Sequence, residues 1–143
     1  MKLCMIGTGY VGLVSGTCFA DIGNQVYCVD KNKNIIDKLN LGISPIYEPG
    51  LNELIKKNYA ANRLIFTTDL KKAINSSDLI FICVGTPTKK GSLKVDLSFV
   101  YKILGKKYVW GNHRRFYSTN LAHKTCHPFG VFFTDGANHV IWY

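Results

Sequence analysis

The chain has 143 residues, 47% of them hydrophobic and 19% charged, a composition typical of a globular protein with enough core for one domain. Its apolar runs are far shorter than the ~18–20 residues that span a bilayer, and its first residues lack the apolar core of a secretory leader. The net charge of +9 is dispersed in single residues and doublets, which favours solvated faces over a nucleic-acid groove. We therefore expect a cytoplasmic protein that binds neither membrane nor nucleic acid.

Strands and helices alternate over the first 104 residues. The apolar runs predict strands at 2–7, 25–30, 64–67 and 79–84, and the helical patterns and stop signals predict helices at 10–22, 33–41, 50–59, 69–74 and 96–104. This alternation predicts an α/β fold of the Rossmann type, with a doubly wound parallel sheet that stops after four strands.

The composition changes after Leu104. Residues 1–104 contain 24 residues that are Leu or Ile, but no His or Trp. The last 39 residues contain one Leu and one Ile, together with all four His and both Trp. We therefore predict a half-domain at 1–104 and a divergent tail at 105–143, which came from another reading frame or from a fusion. Within the tail, 130–134 and 139–143 predict a hairpin, and 111–124 has no assignable period.

The cysteines and histidines do not predict a metal site. Five Cys occur without a C-x-x-C pair, and most fall in apolar elements, where a thiol is a small buried hydrophobe. In the tail, His123, Cys126 and His127 are close in sequence, but their spacing matches no standard zinc pattern.

The sequence Gly7-Thr8-Gly9-Tyr10-Val11-Gly12 is the strongest chemical signal. It ends the first predicted strand and opens the first helix, which is the context in which a G-x-G-x-x-G motif binds the diphosphate of a dinucleotide. Gly7 allows the tight turn, Gly9 lets the backbone approach the diphosphate, and Gly12 lets the helix pack closely on the strand. The amide groups of the helix N-terminus then face the anion.

Asp30 supplies the second part of this fingerprint. It ends the second predicted strand, 18 residues after Gly12, where an acid accepts hydrogen bonds from the adenosine ribose. Because a carboxylate would repel a 2′-phosphate, we predict NAD rather than NADP as the cofactor.

Four ordered segments resemble the UDP-glucose/GDP-mannose dehydrogenase family. They are Lys2–Val14 with its Tyr-Val between glycines, Ile43–Leu51 (ISPIYEPGL), Arg63–Asp69 (RLIFTTD) and Val84–Thr88 (VGTPT). The resemblance implies that Gly7, Thr8, Gly9, Tyr10, Val11, Gly12 and Asp30 hold NAD, with Thr86 beside the cofactor. The family often has a basic residue five positions past the ribose acid, where this chain has Ile35, so Lys31 or Lys33 could serve instead.

The same resemblance implies an activity for the complete enzyme. The family oxidises the 6-hydroxyl of a nucleotide sugar such as UDP-glucose to a carboxylate with two NAD, through a nucleophilic cysteine. That cysteine belongs to a later part of the family's chain, and Cys126 lacks its Lys and Asp neighbours, so we assign no catalytic residue and expect an inactive NAD-binding portion. A non-enzymatic NAD-binding interaction module remains the alternative.

The tail contains no recognisable fifth strand of the family. The predicted strand 79–84 would then be a bare apolar edge of the sheet, unless residues 108–110 or the terminal hairpin cover it.

Overall fold

The computed structural model describes residues 1–85, 87, 96 and 98–104, together with the backbone of three strands in the tail. Its elements in chain order are β1 (Lys2–Ile6), α1 (Tyr10–Asp21), β2 (Gln25–Val29), α2 (Lys33–Asn40), α3 (Leu51–Ala60), β3 (Leu64–Thr67), α4 (Leu70–Asn75), β4 (Leu79–Ile82), α5 (Ser98–Leu104), β5 (Arg115–Ser118), β6 (Gly130–Thr134) and β7 (Val140–Trp142).

The strands form one sheet in the order β3-β2-β1-β4-β5-β6-β7. β1 to β4 are parallel to one another, as predicted, and the predicted ends of their strands and helices are correct to within about two residues. The chain builds outwards from β1 to β3 and then crosses to the other side of β1 for β4. The carboxyl ends of β1 and β4 therefore flank a topological switch point, where ligands of open α/β sheets bind.

The edge of β4 is covered by a strand that the sequence did not predict. Arg115–Ser118 forms β5 and pairs in parallel with β4, in the register Leu79 to Arg115 through Ile82 to Ser118. The expectation of a bare edge at β4 is therefore wrong, and the hairpin lies beyond β5 and does not cover β4. Residues 108–110, the other suggested cover, lie outside the described residues. Pairing satisfies the backbone groups that a bare edge would leave open. The predicted hairpin is confirmed, since β6 and β7 pair antiparallel and β6 pairs with β5.

Helices cover both faces of the part of the sheet formed by β1 to β4, and each of these faces has its own apolar core. Leu3 and Met5 of β1 point into the core that α1, α2 and α3 close. Cys4 and Ile6 alternate to the opposite core, under α4 and α5. This period of two, with both faces apolar, is the pattern of a parallel strand buried between helices.

Capping side chains fix where the shorter helices begin. Asn32 accepts a hydrogen bond from the Asn34 amide at the start of α2, and Asp69 accepts one from the Lys72 amide at the start of α4. Both bonds satisfy helix amides that have no intrahelical partner.

A polar network joins α1, α3 and β3 at the opposite end of the sheet from the switch point. Buried Asn58 donates to Asp21 and accepts from the Arg63 guanidinium at 2.9 Å, and Lys57 reaches Asp21 at 2.7 Å. Arg63 also donates to the carbonyl of Ala20 at the end of α1. Within the part of the chain that the structure describes, no helix has both the length and the apolar character needed to cross a bilayer.

Candidate functional site

The turn after β1 is held by backbone contacts that only glycine permits. Gly7 has φ +103°, and its amide donates to the Val29 carbonyl at 2.7 Å. A Cβ at this position would lie 2.7 Å from the carbonyl oxygen of Cys83. Both the left-handed backbone and the close approach to the end of β4 therefore require the absence of a side chain.

Gly9 faces open space where α1 begins. Its φ of −71° is available to any residue, and a Cβ there would meet no atom within 4 Å. The first intrahelical bond runs from the Leu13 amide to the Gly9 carbonyl, so the amides of Tyr10, Val11 and Gly12 lack partners within the helix. No side chain caps this end, and no acid lies in the first turn. The open space beside free amides at a positive helix end suits a diphosphate.

The Asp30 carboxylate joins the end of β2 to this turn. Its Oδ2 accepts hydrogen bonds from the Thr8 amide at 2.9 Å and from the Thr8 hydroxyl at 3.0 Å. Its Oδ1 accepts one from the Asn32 amide at 2.9 Å. The two parts of the predicted fingerprint, 22 residues apart, are thus in direct contact.

A cavity of about 590 Å³ opens beside the glycine turn. Val84 and Gly85 line it beside the glycine turn, since a Cβ at Gly7 would lie 3.3 Å from the Val84 amide nitrogen. Past Asp30, the far end is lined by residues that follow β2 and β3 and by residues of α4 and α5, namely Lys31, Thr68, Leu70, Phe99, Lys102 and Ile103. The volume is within the range of pockets that enclose a small ligand.

Lys31 and Phe99 meet at the far end of the cavity. The Lys31 Nζ lies 5.3 Å from the centroid of the Phe99 ring, a cation–π contact, and both side chains line the cavity. Lys33, the other basic residue considered from the sequence, instead forms an exposed pair with Asp37 at 2.7 Å on α2. Of the two, Lys31 is the one that faces the cavity.

Tyr10 links the first turn of α1 to the segment Ile43–Leu51. Its hydroxyl donates a hydrogen bond to Oε1 of Glu48, so two of the segments that carry the family resemblance are in contact. This bond to the carboxylate raises the pKa of Tyr10, because the bond and the negative charge both favour the protonated phenol. The sequence pattern alone gave no sign of this contact.

The predicted site residues occupy different places in this geometry. Gly7, Gly9 and Asp30 line the cavity. Thr8 lies behind Asp30 with 1% of its surface exposed. Gly12 packs against the turn, since a Cβ there would lie 1.9 Å from the Gly7 carbonyl oxygen.

The other three predicted residues stand apart from that group. Tyr10 and Val11 are on the exposed side of the helix start. Thr86 lies outside the described residues, directly after Gly85 of the cavity wall.

The thiols near the site are packed within apolar structure. Cys28 is fully buried, and this burial, with smaller contributions from Cys4 and Cys83, raises the pKa of its thiol. Cys28 therefore stays protonated and unreactive. Among the described residues, no group of three His, Cys, Asp or Glu side chains is placed to hold a metal; His123, Cys126 and His127 lie outside them.

The glycine turn, the acid after β2 and the cavity at the switch point together define a dinucleotide-binding domain of the Rossmann type. Residues 1–108 match the model of the UDP-glucose/GDP-mannose dehydrogenase family, NAD binding domain. The chain therefore belongs to this family and contains its NAD-binding domain.

Relatives and solved structures agree with this assignment. The chain is 56% identical over 101 residues to a UDP-glucose 6-dehydrogenase of Rhizobium meliloti, covering 71% of this chain and 23% of that enzyme. It is 45% identical over 100 residues to a GDP-mannose 6-dehydrogenase of Pseudomonas aeruginosa, covering 70% of this chain and 23% of that enzyme.

Among solved structures, a GDP-mannose dehydrogenase from Pseudomonas aeruginosa superposes with a TM-score of 0.75 at 37% identity, covering 83% of this chain and 28% of the other. A UDP-glucose dehydrogenase from Pyrobaculum islandicum gives 0.74 at 31% identity, with coverage of 83% and 29%. The chain thus spans 20–23% of the length of the curated relatives that it resembles.

Proposed function

We propose that the segment Gly7–Gly12 and Asp30 bind NAD in the cavity at the switch point, as the cofactor-binding part of a UDP-glucose 6-dehydrogenase. The single observation that supports this assignment is the contact between Asp30 and Thr8, because the acid proposed to bind the ribose is hydrogen-bonded to the turn proposed to face the diphosphate. When bound, NAD accepts the hydride removed from the substrate alcohol. The residues of this chain bind and orient it.

The glycine turn fits the diphosphate of the cofactor. A Cβ at Gly9 would enter the open space beside the helix amides, which is the space that an approaching phosphate needs. Tyr10 and Val11 contribute their backbone amides, whereas Thr8 acts through Asp30. Gly12 acts indirectly, because it keeps α1 close to the turn.

The far end of the cavity fits the adenine. Phe99 provides an aromatic face, Leu70 and Ile103 provide apolar contact, and Lys31 provides a cation beyond Asp30. A flat π system beside a cation and aliphatic walls suits a purine base. Lys31 thereby takes the place of the basic residue that the family often has where this chain has Ile35. Thr86 remains a proposed contact on the nicotinamide side.

The acid next to the ribose favours NAD over NADP. Among the described residues that line the cavity, Asp30 is the one acid, and Lys31 and Lys102 are basic. A 2′-phosphate would lie against the Asp30 carboxylate, and the repulsion between the two negative charges disfavours NADP.

The matched segment covers 23% of the related UDP-glucose 6-dehydrogenase, so the reaction is a proposal for the complete enzyme. We propose nucleotide-sugar oxidation with UDP-glucose as substrate, in the cytoplasm and for polysaccharide synthesis; the 56% identity to a UDP-glucose 6-dehydrogenase supports this substrate. We propose that the chain itself binds NAD without oxidising UDP-glucose. We also propose that residue 104 ends the half-domain and that residues 105–143 have a separate origin.

Calorimetric titration of the chain with NAD and NADP tests the proposal. We expect saturable binding of one NAD and at least about tenfold weaker binding of NADP, since one charge repulsion of about 1.4 kcal/mol has that effect. The exchange Asp30→Asn should reduce this preference. Absence of binding at millimolar NAD, by protein that melts cooperatively, would contradict the proposal.

A further inference from the structure

The Asp30 carboxylate is almost saturated by the protein's own donors. Thr8 supplies two hydrogen bonds to Oδ2, one from its amide and one from its hydroxyl, and Asn32 supplies one to Oδ1. An ionised carboxylate has about four lone-pair sites for donors. Donors among the described residues therefore occupy three of these sites, which leaves one on Oδ1.

The hydroxyl of Thr8 cannot give up this bond at low cost. Its residue is only 1% exposed, so water does not replace Asp30 as the acceptor. A buried donor that loses its acceptor carries the full desolvation penalty, and a bond to a charged group is stronger than one between neutral groups. A ligand hydroxyl that competes for Oδ2 must first displace the Thr8 hydroxyl.

We propose that Thr8 restricts Asp30 to one hydroxyl of the adenosine ribose, which binds at the open site of Oδ1. This inference rests on the proposed NAD site and adds a positioning residue to it. Thr8 does not touch the ribose, but it decides how many of the two ribose hydroxyls the carboxylate accepts. The second hydroxyl finds no free site on Oδ2.

We predict that the affinity for NAD depends unequally on the two hydroxyls of the adenosine ribose. NAD analogues that lack either the 2′- or the 3′-hydroxyl of the adenosine ribose are titrated against the wild-type chain. We expect one analogue to bind at least about tenfold more weakly than NAD, which corresponds to the loss of a hydrogen bond to a charged group. The other should bind within about threefold of NAD.

Two threonine variants assign this asymmetry to Thr8. Thr8→Val removes the hydroxyl at nearly constant shape and keeps the amide, so Oδ2 of Asp30 gains an open acceptor site. Both analogues should then bind this variant at least about fivefold more weakly than NAD does. Thr17→Val is the matched control, because the Thr17 hydroxyl is also buried but lies within α1, where it donates to the Leu13 carbonyl at 2.8 Å and not to Asp30. It should keep the wild-type asymmetry.

The outcomes separate the inference from the proposed site. If wild-type protein binds NAD but loses affinity equally with both analogues, Asp30 accepts both hydroxyls and the inference is wrong. If the asymmetry persists in Thr8→Val, Thr8 does not cause it, and the inference is again wrong. Failure of wild-type protein to bind NAD at all would instead contradict the proposed function. The wild-type comparison needs no variant, so it remains decisive even if Thr8→Val does not fold.

Discussion

A Cβ at Gly12 would lie 1.9 Å from the carbonyl oxygen of Gly7, so the first turn of α1 and the turn after β1 pack backbone to backbone. Neither atom belongs to a flexible side chain that could move aside. The same turn also approaches Cys83 at the end of β4. The glycines thus hold together three elements at the switch point before any ligand is considered.

Gly12→Ala should therefore destabilise the fold itself. We expect a loss of about 2 kcal/mol or more, as for overpacking of a rigid site, and a melting temperature lower by at least about 5 °C. Thermal denaturation followed by circular dichroism measures this loss. Gly9→Ala is the matched comparison, since its new methyl group meets no atom within 4 Å; equal melting temperatures for the two variants would refute the packing role of Gly12.

Lys31→Met should weaken NAD binding, because it removes the cation at the far end of the cavity while keeping an apolar chain on Phe99. We expect a dissociation constant about three- to tenfold higher, with a smaller difference at high salt. Lys33→Met is the control, since Lys33 pairs with Asp37 on the exposed side of α2, and its effect should be under about twofold. Similar effects of both variants would show that general charge, and not the cavity, is responsible.

Asp21 should make stability depend on pH in the acid range. The hydrogen bonds from Lys57 and then Asn58 lower the pKa of Asp21 below its ordinary value. The folded state therefore binds this proton less readily than the unfolded state, so the contribution is complete above the ordinary aspartate pKa of about 3.9 and is lost as the pH falls through the lower folded value.

Urea denaturation of Asp21→Asn at several pH values measures this contribution. The variant should be less stable than wild type at pH 7, and the difference should shrink as the pH falls below about 4. Asp37→Asn, which breaks an exposed pair on α2, should change stability by less than about 0.5 kcal/mol. A difference for Asp21→Asn that is constant from neutral to acid pH would contradict the assignment.

The cysteines should differ in their reaction with an alkylating reagent. Cys18 is exposed, whereas Cys28 is fully buried and the pKa of its thiol is raised. We expect rapid labelling of Cys18 in native protein and labelling of Cys28 only after denaturation, because the thiolate is the reactive form. Peptide mass mapping at successive times measures the labelling of both cysteines in one experiment. Early labelling of Cys28 would contradict the prediction, because it would mean that the core under α1, α2 and α3 opens in the native protein.

The alternation of elements and their stop signals were sufficient to predict the first four strands and their parallel arrangement. Apolar runs such as Leu79–Ile82 identify buried parallel strands because both faces of the sheet are covered. β5 was not predicted, because its sequence has no such apolar run. Arg115–Ser118 is short and lies in a basic stretch, and the pairing of its backbone with β4 is a long-range event that no local pattern records.

The candidate site was predictable where a local motif and its spacing identify the residue. Gly7, Gly9 and Asp30 follow from the motif and its context. The contact between Lys31 and Phe99 and that between Tyr10 and Glu48 join residues far apart in the chain, so spacing could not reveal them. Which of Lys31 and Lys33 faces the cavity could likewise not be read from the sequence. Lys33 forms an ion pair with Asp37, one turn further along α2.

NAD titration of Gly9→Ala tests the central claim most directly, because Gly9 faces the proposed diphosphate space and a Cβ there would meet no atom of the described residues within 4 Å. The account predicts a variant within about 1 kcal/mol of wild-type stability, as expected for a small change at a helix N-cap. Its affinity for NAD should be at least about tenfold lower, since the methyl group keeps the phosphate from the helix amides. An affinity equal to that of wild type would mean that NAD does not bind at this turn.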